Sequence, residues 1–403
     1  MDKLSKPGYK RTELGWIPED WEVWKIDQIA LKVGSGITPS GGQKVYKTSG
    51  RPFVRSQNVS WGKMNLEDIA FIDDETHSKF TSTEILEGDV FLNITGASIG
   101  RSAVAQTELI GGNVNQHVCI IRSNLNDIKP KYLNCLLLSF LGQKQIFDFQ
   151  AGGNREGLNF YQVRSLKFAL PPLPEQTTIA TVLSDMDSYI QSLEALIAKK
   201  RLIKQGAMQE LLTPKEDWEV RKLTDIVDYI HGKAHEQFIV EDGKYIVVNS
   251  KFISSEGEVK KYSDFSFCTA KENDVLTVLS DLPNGKALAK CFFVLEEKKY
   301  AVNQRICIWR PKSALPRFIF YLLNRNKYFL GFDDGVSQTH ILNNHIEKCF
   351  MEVPSKMDEQ KFIADTLWKM DSELRALGNS LSKAVQLKQG MMQELLTGRT
   401  RLV

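Results

Sequence analysis

Apolar residues recur at Ile179, Leu183, Met186, Ile190, Leu193 and Ile197, in steps of 4-3-4-3-4. The same steps return at Ile363, Leu367, Met370, Leu374, Leu377 and Leu381. This is the heptad seam of helices packed side by side, so the spacing predicts two long helices packed on each other. Pro174 suits the first position of one helix and Asp358 a cap at the equivalent place in the other, while Pro214 and Gly398 stop them. Each helix should run for about 38 residues, roughly 57 Å at 1.5 Å per residue.

Outside these stretches the period shortens. DVFLNIT (89–95), HVCIIR (117–122), KYIVVNS (244–250), DVLTVL (274–279) and RICIWR (305–310) are short Val- and Ile-rich runs bounded by Gly, Asn or Asp, and read as strands. PKYLNCLLLSFLGQKQIF (130–147) and PRFIFYLLNRNKYFL (316–330) read as helices, each opened by a proline.

The two halves repeat each other. Residues 175–213 align without a gap on 359–397, and nineteen of the 39 positions are identical, ending in KQGAMQELLT and KQGMMQELLT. The shared positions include Glu175/Glu359, Gln176/Gln360 and Met186-Asp187-Ser188/Met370-Asp371-Ser372. Upstream, EDWEV occurs at 19–23 and 216–220, and NVNQHVCIIR (113–122) echoes AVNQRICIWR (301–310). A repeat of this length means two copies of one architectural unit. The expected fold is therefore α+β: a domain over 1–170, a helix over 171–213, a second domain over 214–354 and a second helix over 355–403. The helices should be antiparallel, with the repeats related by a pseudo-two-fold axis.

Composition adds limits. The 403 residues, 42% hydrophobic and 25% charged, are ordinary for a globular protein with more than one domain. The start has no apolar signal stretch, and no apolar run is long enough to span a bilayer. Six cysteines without CxxC spacing read as buried, reduced thiols of a cytoplasmic protein. A net charge of +3 neither demands nor excludes nucleic acid.

Catalytic signatures are missing. No GxxxxGK[ST] phosphate loop occurs, and the glycine-rich GSGITPSGGQK (34–44) has the wrong order. DLPN (281–284) lacks the second proline and the aromatic of an adenine-methylating motif. Asp242 with Glu258-x-Lys260 has the spacing of a nuclease half-site, one that charged loops reach by chance. His231 and His235 lack a third zinc ligand. No metal or cofactor is expected to bind this chain.

The leader YKRTELGWIPEDWEV, the helix entry PPLPEQTTIATVLSDMDSYI and the two MQELLT exits together resemble the DNA-specificity subunit of type I restriction–modification enzymes, over nearly the whole chain and in the same order. The resemblance implies two target-recognition domains, each reading one half of a bipartite double-stranded DNA site. It implies that the helices hold two modification subunits, which methylate adenine at N6 with S-adenosylmethionine. Where restriction subunits join, they add translocation and cleavage that use ATP and Mg. The rival readings are a self-sufficient DNA nuclease or methyltransferase, which needs a site not found above, and a helix-linked adaptor that binds no nucleic acid.

DNA contacts need Lys and Arg for phosphates and Arg, Lys, Asn or Gln for base edges. The first domain offers Lys44, Tyr46, Lys47, Arg51, Arg55, Gln57, Asn58, Lys63 and Arg101, with Arg155 and Asn159 in GGNREGLN. The second offers His231, Lys233, Asn249, Lys251, Lys260, Lys261 and Lys286, with Ser337, Gln338, Thr339 and His340 in one loop. Asn115-Gln116 and Asn303-Gln304, kept in both copies, read instead as a turn pinned by side-chain hydrogen bonds. Partner contact is expected at Lys204 and Lys388, which hold seam positions where an apolar residue would pack better, and at Gln205, Gln209, Gln389 and Gln393.

Overall fold

The protein is described as a computed structural model covering residues 6–39, 45–150, 157–282, 287–297, 299–333 and 335–402. The chain forms two compact units, 1–194 with 380–403 and 195–379. Each therefore takes one end of each long helix. The helices are uninterrupted, Leu173–Leu211 and Met357–Leu395, 39 residues apiece. They stop three residues before Pro214 and Gly398 respectively, the usual fraying of a last turn. Among the described residues no helix is long and apolar enough to cross a membrane.

In the first unit the central sheet is antiparallel, in the order Ala30–Ser35, Val118–Ser123, Asp89–Asn93, Ser102–Val104. Beside it, Arg51–Val54 pairs antiparallel with Ala70–Ile72 and parallel with Asn113–Val114. The second unit repeats the plan: Val227–His231, Ile306–Pro311, Val275–Val278, Cys291–Phe293. There Tyr245–Val248 pairs parallel with Tyr300–Val302. The five strands expected from apolar runs all form, each within two residues of its expected ends.

The shared sequence echoes have structural causes. Arg122 reaches Asp89 at 2.8 and 2.9 Å, and Arg310 reaches Asp274 at 2.9 and 2.8 Å. Both carboxylates are buried. Each also caps the turn before its own strand, accepting from Leu86 N and Lys271 N. A buried carboxylate needs such bidentate pairing, so the Asp-Val opening and the closing Arg are retained together. Gln176 likewise accepts from Lys129 N at 2.9 Å and donates to the carbonyl of Pro171, while Gln360 accepts from Leu315 N at 3.1 Å and donates to that of Pro354. The repeated glutamine fixes the start of each long helix to the short helix of its own domain.

Two helices expected as single pieces are broken. The first becomes Pro130–Leu138 and Phe140–Gln150, because the Ser139 hydroxyl donates to Leu136 O and accepts from Gly142 N, ending one helix and opening the next. The second becomes Pro316–Leu323 and Lys327–Leu330, where Arg325 is left-handed (φ 57°) and Asn326 caps the following turn through Tyr328 N.

Along the seam Ile179, Leu183, Leu193, Ile197, Ile363 and Leu367 are buried, and Met186, Ile190, Met370, Leu374, Leu377 and Leu381 half-buried. Within the second unit Lys200 pairs with Glu373 and Lys204 with Asp371, so rising numbers on one helix meet falling numbers on the other: the helices run antiparallel there. Lys388 is paired with Asp187 in the first unit.

Candidate nucleic-acid interface

The first-unit residues divide into held and displayed. Arg51 bonds Asp74 at 2.6 Å and the carbonyl of Gly111 at 2.9 Å. Arg55 bonds the carbonyl and carboxylate of Asp68 at 2.7 and 3.1 Å, and Gln57 donates to the same carboxylate at 2.5 Å. The Arg55 guanidinium also lies over the Tyr46 ring, itself packed on Phe53. Asn58 is buried: its amide donates to the carbonyls of Asn65 and Asp68, and its oxygen accepts from Arg55 N. Asn58 is therefore a loop brace, which corrects its expected place at the DNA surface. Lys47, 3.5 Å from Asp73, and Lys63 are exposed. Arg101 is half-buried. Asn159 caps Phe160–Ser165 through Gln162 N at 2.9 Å. Lys44 and Arg155 lie outside the described residues.

In the second unit Lys251, Lys261 and Asn249 line one cleft of about 200 Å³ together with Glu236, Asn303 and Arg305. Asn249 also caps the turn at Phe252 N. Lys233 and Lys260 are exposed. His231 meets Asn343 at 2.6 Å. His235 is buried with both nitrogens engaged: Nδ1 lies 2.6 Å from the carbonyl of Lys233, and Nε2 accepts from Phe267 N. In 337–340, Thr339 is buried against Asp333, Gln338 donates to Ser280 and His340 is exposed. Ser337 is exposed too. The strand Thr339–His340 pairs with Ser280–Asp281, so sheet pairing holds this loop and Thr339 faces inward, against expectation. Lys286 lies outside the described residues.

The expected turn is present in both units, and it yields what the sequence reading missed. Asn115 and Asn303 are buried at its first position. Of the residues at its corner, Gln116, Gln304 and Arg305 are exposed and His117 is half-buried. Neither His117 nor Arg305 stood out from sequence. The signal was partly available: the two motifs differ at four positions, and His117/Arg305 is the pair that replaces one basic side chain by another beside the shared Asn-Gln.

The helix ends differ from expectation in one respect. Lys204 and Lys388 are committed to carboxylates on the facing helix, Asp371 and Asp187, which is the physical reason a lysine holds a seam position. Gln205, Gln209, Gln389 and Gln393 remain exposed. Gln389 and Gln393 border a groove of about 660 Å³ with Leu141, Met392 and the prominently exposed Phe140 (79%).

Two similar domains of unlike loops, each carried on the end of a long-helix pair, define a bipartite recognition scaffold. The family described as "Type I restriction modification DNA specificity domain" matches residues 18–200 and again 215–386, and the chain belongs to it: it is a specificity subunit, the non-catalytic component of such a system. It is similar to the putative type I restriction enzyme MjaX specificity subunit of Methanocaldococcus jannaschii, 26% identical over 98% of this chain and 97% of that one. The MjaVIII specificity subunit of the same organism is 24% identical over 96% and 94%. Among solved structures, the type I S subunit from M. genitalium superposes with a TM-score of 0.62 at 14% identity, covering 97% of this chain and 99% of that one. A chain from a study of complex assembly and conformational transition of the type I R-M system gives 0.56 at 17%, covering 95% and 99%. These likenesses support the fold.

Proposed function

We propose that each unit reads one half of a bipartite double-stranded DNA site, and that the helix ends dock two copies of a modification subunit that methylates adenine at N6. The recognition domains are 1–170 and 214–354, and 171–213 and 355–403 are the helices that space them. S-adenosylmethionine, and ATP with Mg where restriction subunits join, belong to the partners. The complex works on cytoplasmic DNA.

One observation carries this reading. The two units share their scaffold residues, Asp89/Asp274, Arg122/Arg310, Gln176/Gln360 and the exposed Gln389-Gln393/Gln205-Gln209 pairs, while the loops that end each domain do not match. Shared display suits one partner met twice. Unlike loops suit two different half-sites.

The test is reconstitution. The purified chain should transfer no methyl group from S-adenosylmethionine to duplex DNA. Adding the modification subunit should give a complex with two copies per chain that does. Gln389→Ala with Gln393→Ala should weaken capture of one copy. Robust transfer by the chain alone, or a single modification subunit per chain at saturation, would contradict the reading.

A further inference from the structure

The turn shared by the two units has the same backbone bonds. Asn115 N donates to the carbonyl of Val54 (2.9 Å) and Asn303 N to that of Val248 (3.0 Å). Val118 N closes the turn on Asn115 O at 3.3 Å, as Ile306 N does on Asn303 O at 2.9 Å. The carbonyls of His117 and Arg305 accept from Ile94 N (3.0 Å) and Leu279 N (2.9 Å). A glycine of the neighbouring strand end lies against each turn: a Cβ on Gly36 would stand 1.7 Å from Val114 O, and one on Gly232 would stand 2.0 Å from Asn303 O.

A corner held at so many points presents its side chains at a fixed place, which direct readout of a base edge requires. What it presents differs between the units. His117 is steadied by Thr95 Oγ1 at 2.5 Å from Nδ1. Arg305 is exposed, and its guanidinium has no hydrogen bond or ion pair among the described residues. By contrast Arg51, Arg55, Arg122, Arg310 and Arg401 are all held by carboxylates.

The surroundings of Arg305 suit nucleic acid. It shares the 200 Å³ cleft with Lys251 and Lys261, two exposed ammonium groups suited to phosphates, and with Asn249. Glu236 there is oriented by donors from Asn303 and Gln304, each at 2.9 Å, so the one carboxylate of the cleft is fixed on the turn.

We propose that the residue following the shared Asn-Gln pair is a specificity-determining position in each unit, and that Arg305 reads the O6 and N7 of a guanine in the second unit's half-site. The proposal rests on the bipartite DNA reading above. It explains why Asn-Gln is common to both units while the next residue is not. The turn is scaffold, and its corner carries the difference between half-sites. An Arg fork matches the two acceptors of guanine in the major groove, which histidine cannot span in the same way.

The test uses the chain with its modification subunit. The parent complex is titrated against its methylated site and against a panel of duplexes, each with one base pair of the second half-site replaced, at fixed salt. Arg305→Ala and Arg305→Lys are titrated on the same panel. The parent should discriminate a G·C pair at one position by about 5- to 150-fold. Both variants should lose that discrimination at that position alone, with the first half-site read as before. Equal weakening on every duplex would mark Arg305 as a phosphate contact and overturn the proposal. So would unchanged discrimination. A parent complex with no preferred duplex would instead defeat the DNA-specificity reading beneath it.

Discussion

Lys388 on one long helix is ion-paired to Asp187 on the other at 2.5 Å, and Lys204, its counterpart in the repeated phrase, is ion-paired to Asp371. Each copy of the phrase thus supplies the lysine for the Met-Asp-Ser segment of the other copy. Much of the faithful repetition is reciprocal packing within the chain. The next residues, Met208, Leu211 and Leu212, join the second unit's core, and Met391, Met392, Leu395 and Leu396 join the first's.

The two lysines should not be equivalent energetically. Lys204 and Asp371 are 20% and 19% exposed, and Asp371 also accepts from Tyr321 OH at 2.7 Å. Asp187 is 45% exposed. Lys204→Ala should cost about 1–2 kcal/mol and Lys388→Ala under about 1 kcal/mol in urea unfolding. A larger loss at Lys388 would contradict the burial argument.

Arg401 should be a staple of the first unit. It bonds Glu175 through two nitrogens at 2.8 Å and Asp20 at 2.8 and 2.7 Å, and Trp21 Nε1 donates to the same buried glutamate. Arg401→Ala leaves Glu175 buried with neutral donors only, and should cost about 2 kcal/mol. The Arg401 hydrogen bond holds the Asp20 carboxyl below its ordinary 3.8. Its stabilising share is therefore full above pH 3.8 and lost as pH falls through the lower folded value. The gap between parent and variant should narrow only in that acid range. A gap that widens with acid would have the wrong sign.

Gly36→Ala and Gly232→Ala should each be among the most damaging small substitutions. The added carbon would meet a backbone oxygen at 1.7 or 2.0 Å, that of Val114 in the paired strand that leads into one turn and that of Asn303 in the other turn itself. Losses of about 2 kcal/mol or more are expected. By comparison Gly206→Ala, on an open helix face with nothing within 4 Å, should stabilise. Thermal unfolding of the three variants checks the ranking.

Legibility in the sequence followed the range of the interaction. The seam, the five strands and the repeated scaffold residues were readable because period and repetition are visible without partners. The roles of Arg51, Arg55 and Asn58 were not, because their partners Asp74, Asp68 and Asn65 come from elsewhere in the folded loop. A cation in a basic stretch looks the same in sequence whether or not a carboxylate awaits it. The helix break at Ser139 was hidden for a similar reason: one hydroxyl stopped an apolar run that propensity alone would have continued. Arg305 was hidden by its shared neighbours, which read as scaffold.

If the long helices space the half-sites, four residues inserted after Leu196 add about one turn, ~6 Å. At ~3.4 Å per base pair that corresponds to roughly one to two base pairs of spacer. The half-site bases should be unchanged. An active insertion variant with altered half-sites, or with the parental spacer, would mean that the helices are not the ruler.

The most direct measurement is single-molecule sequencing of N6-methyladenine in DNA from cells carrying the chain with its modification subunit, beside cells carrying that subunit alone. The account predicts one methylated motif, present only with the chain, made of two short unlike specified segments separated by a fixed run of unspecified bases. A contiguous motif, a motif that does not depend on the chain, or no methylated motif in an active complex would contradict it.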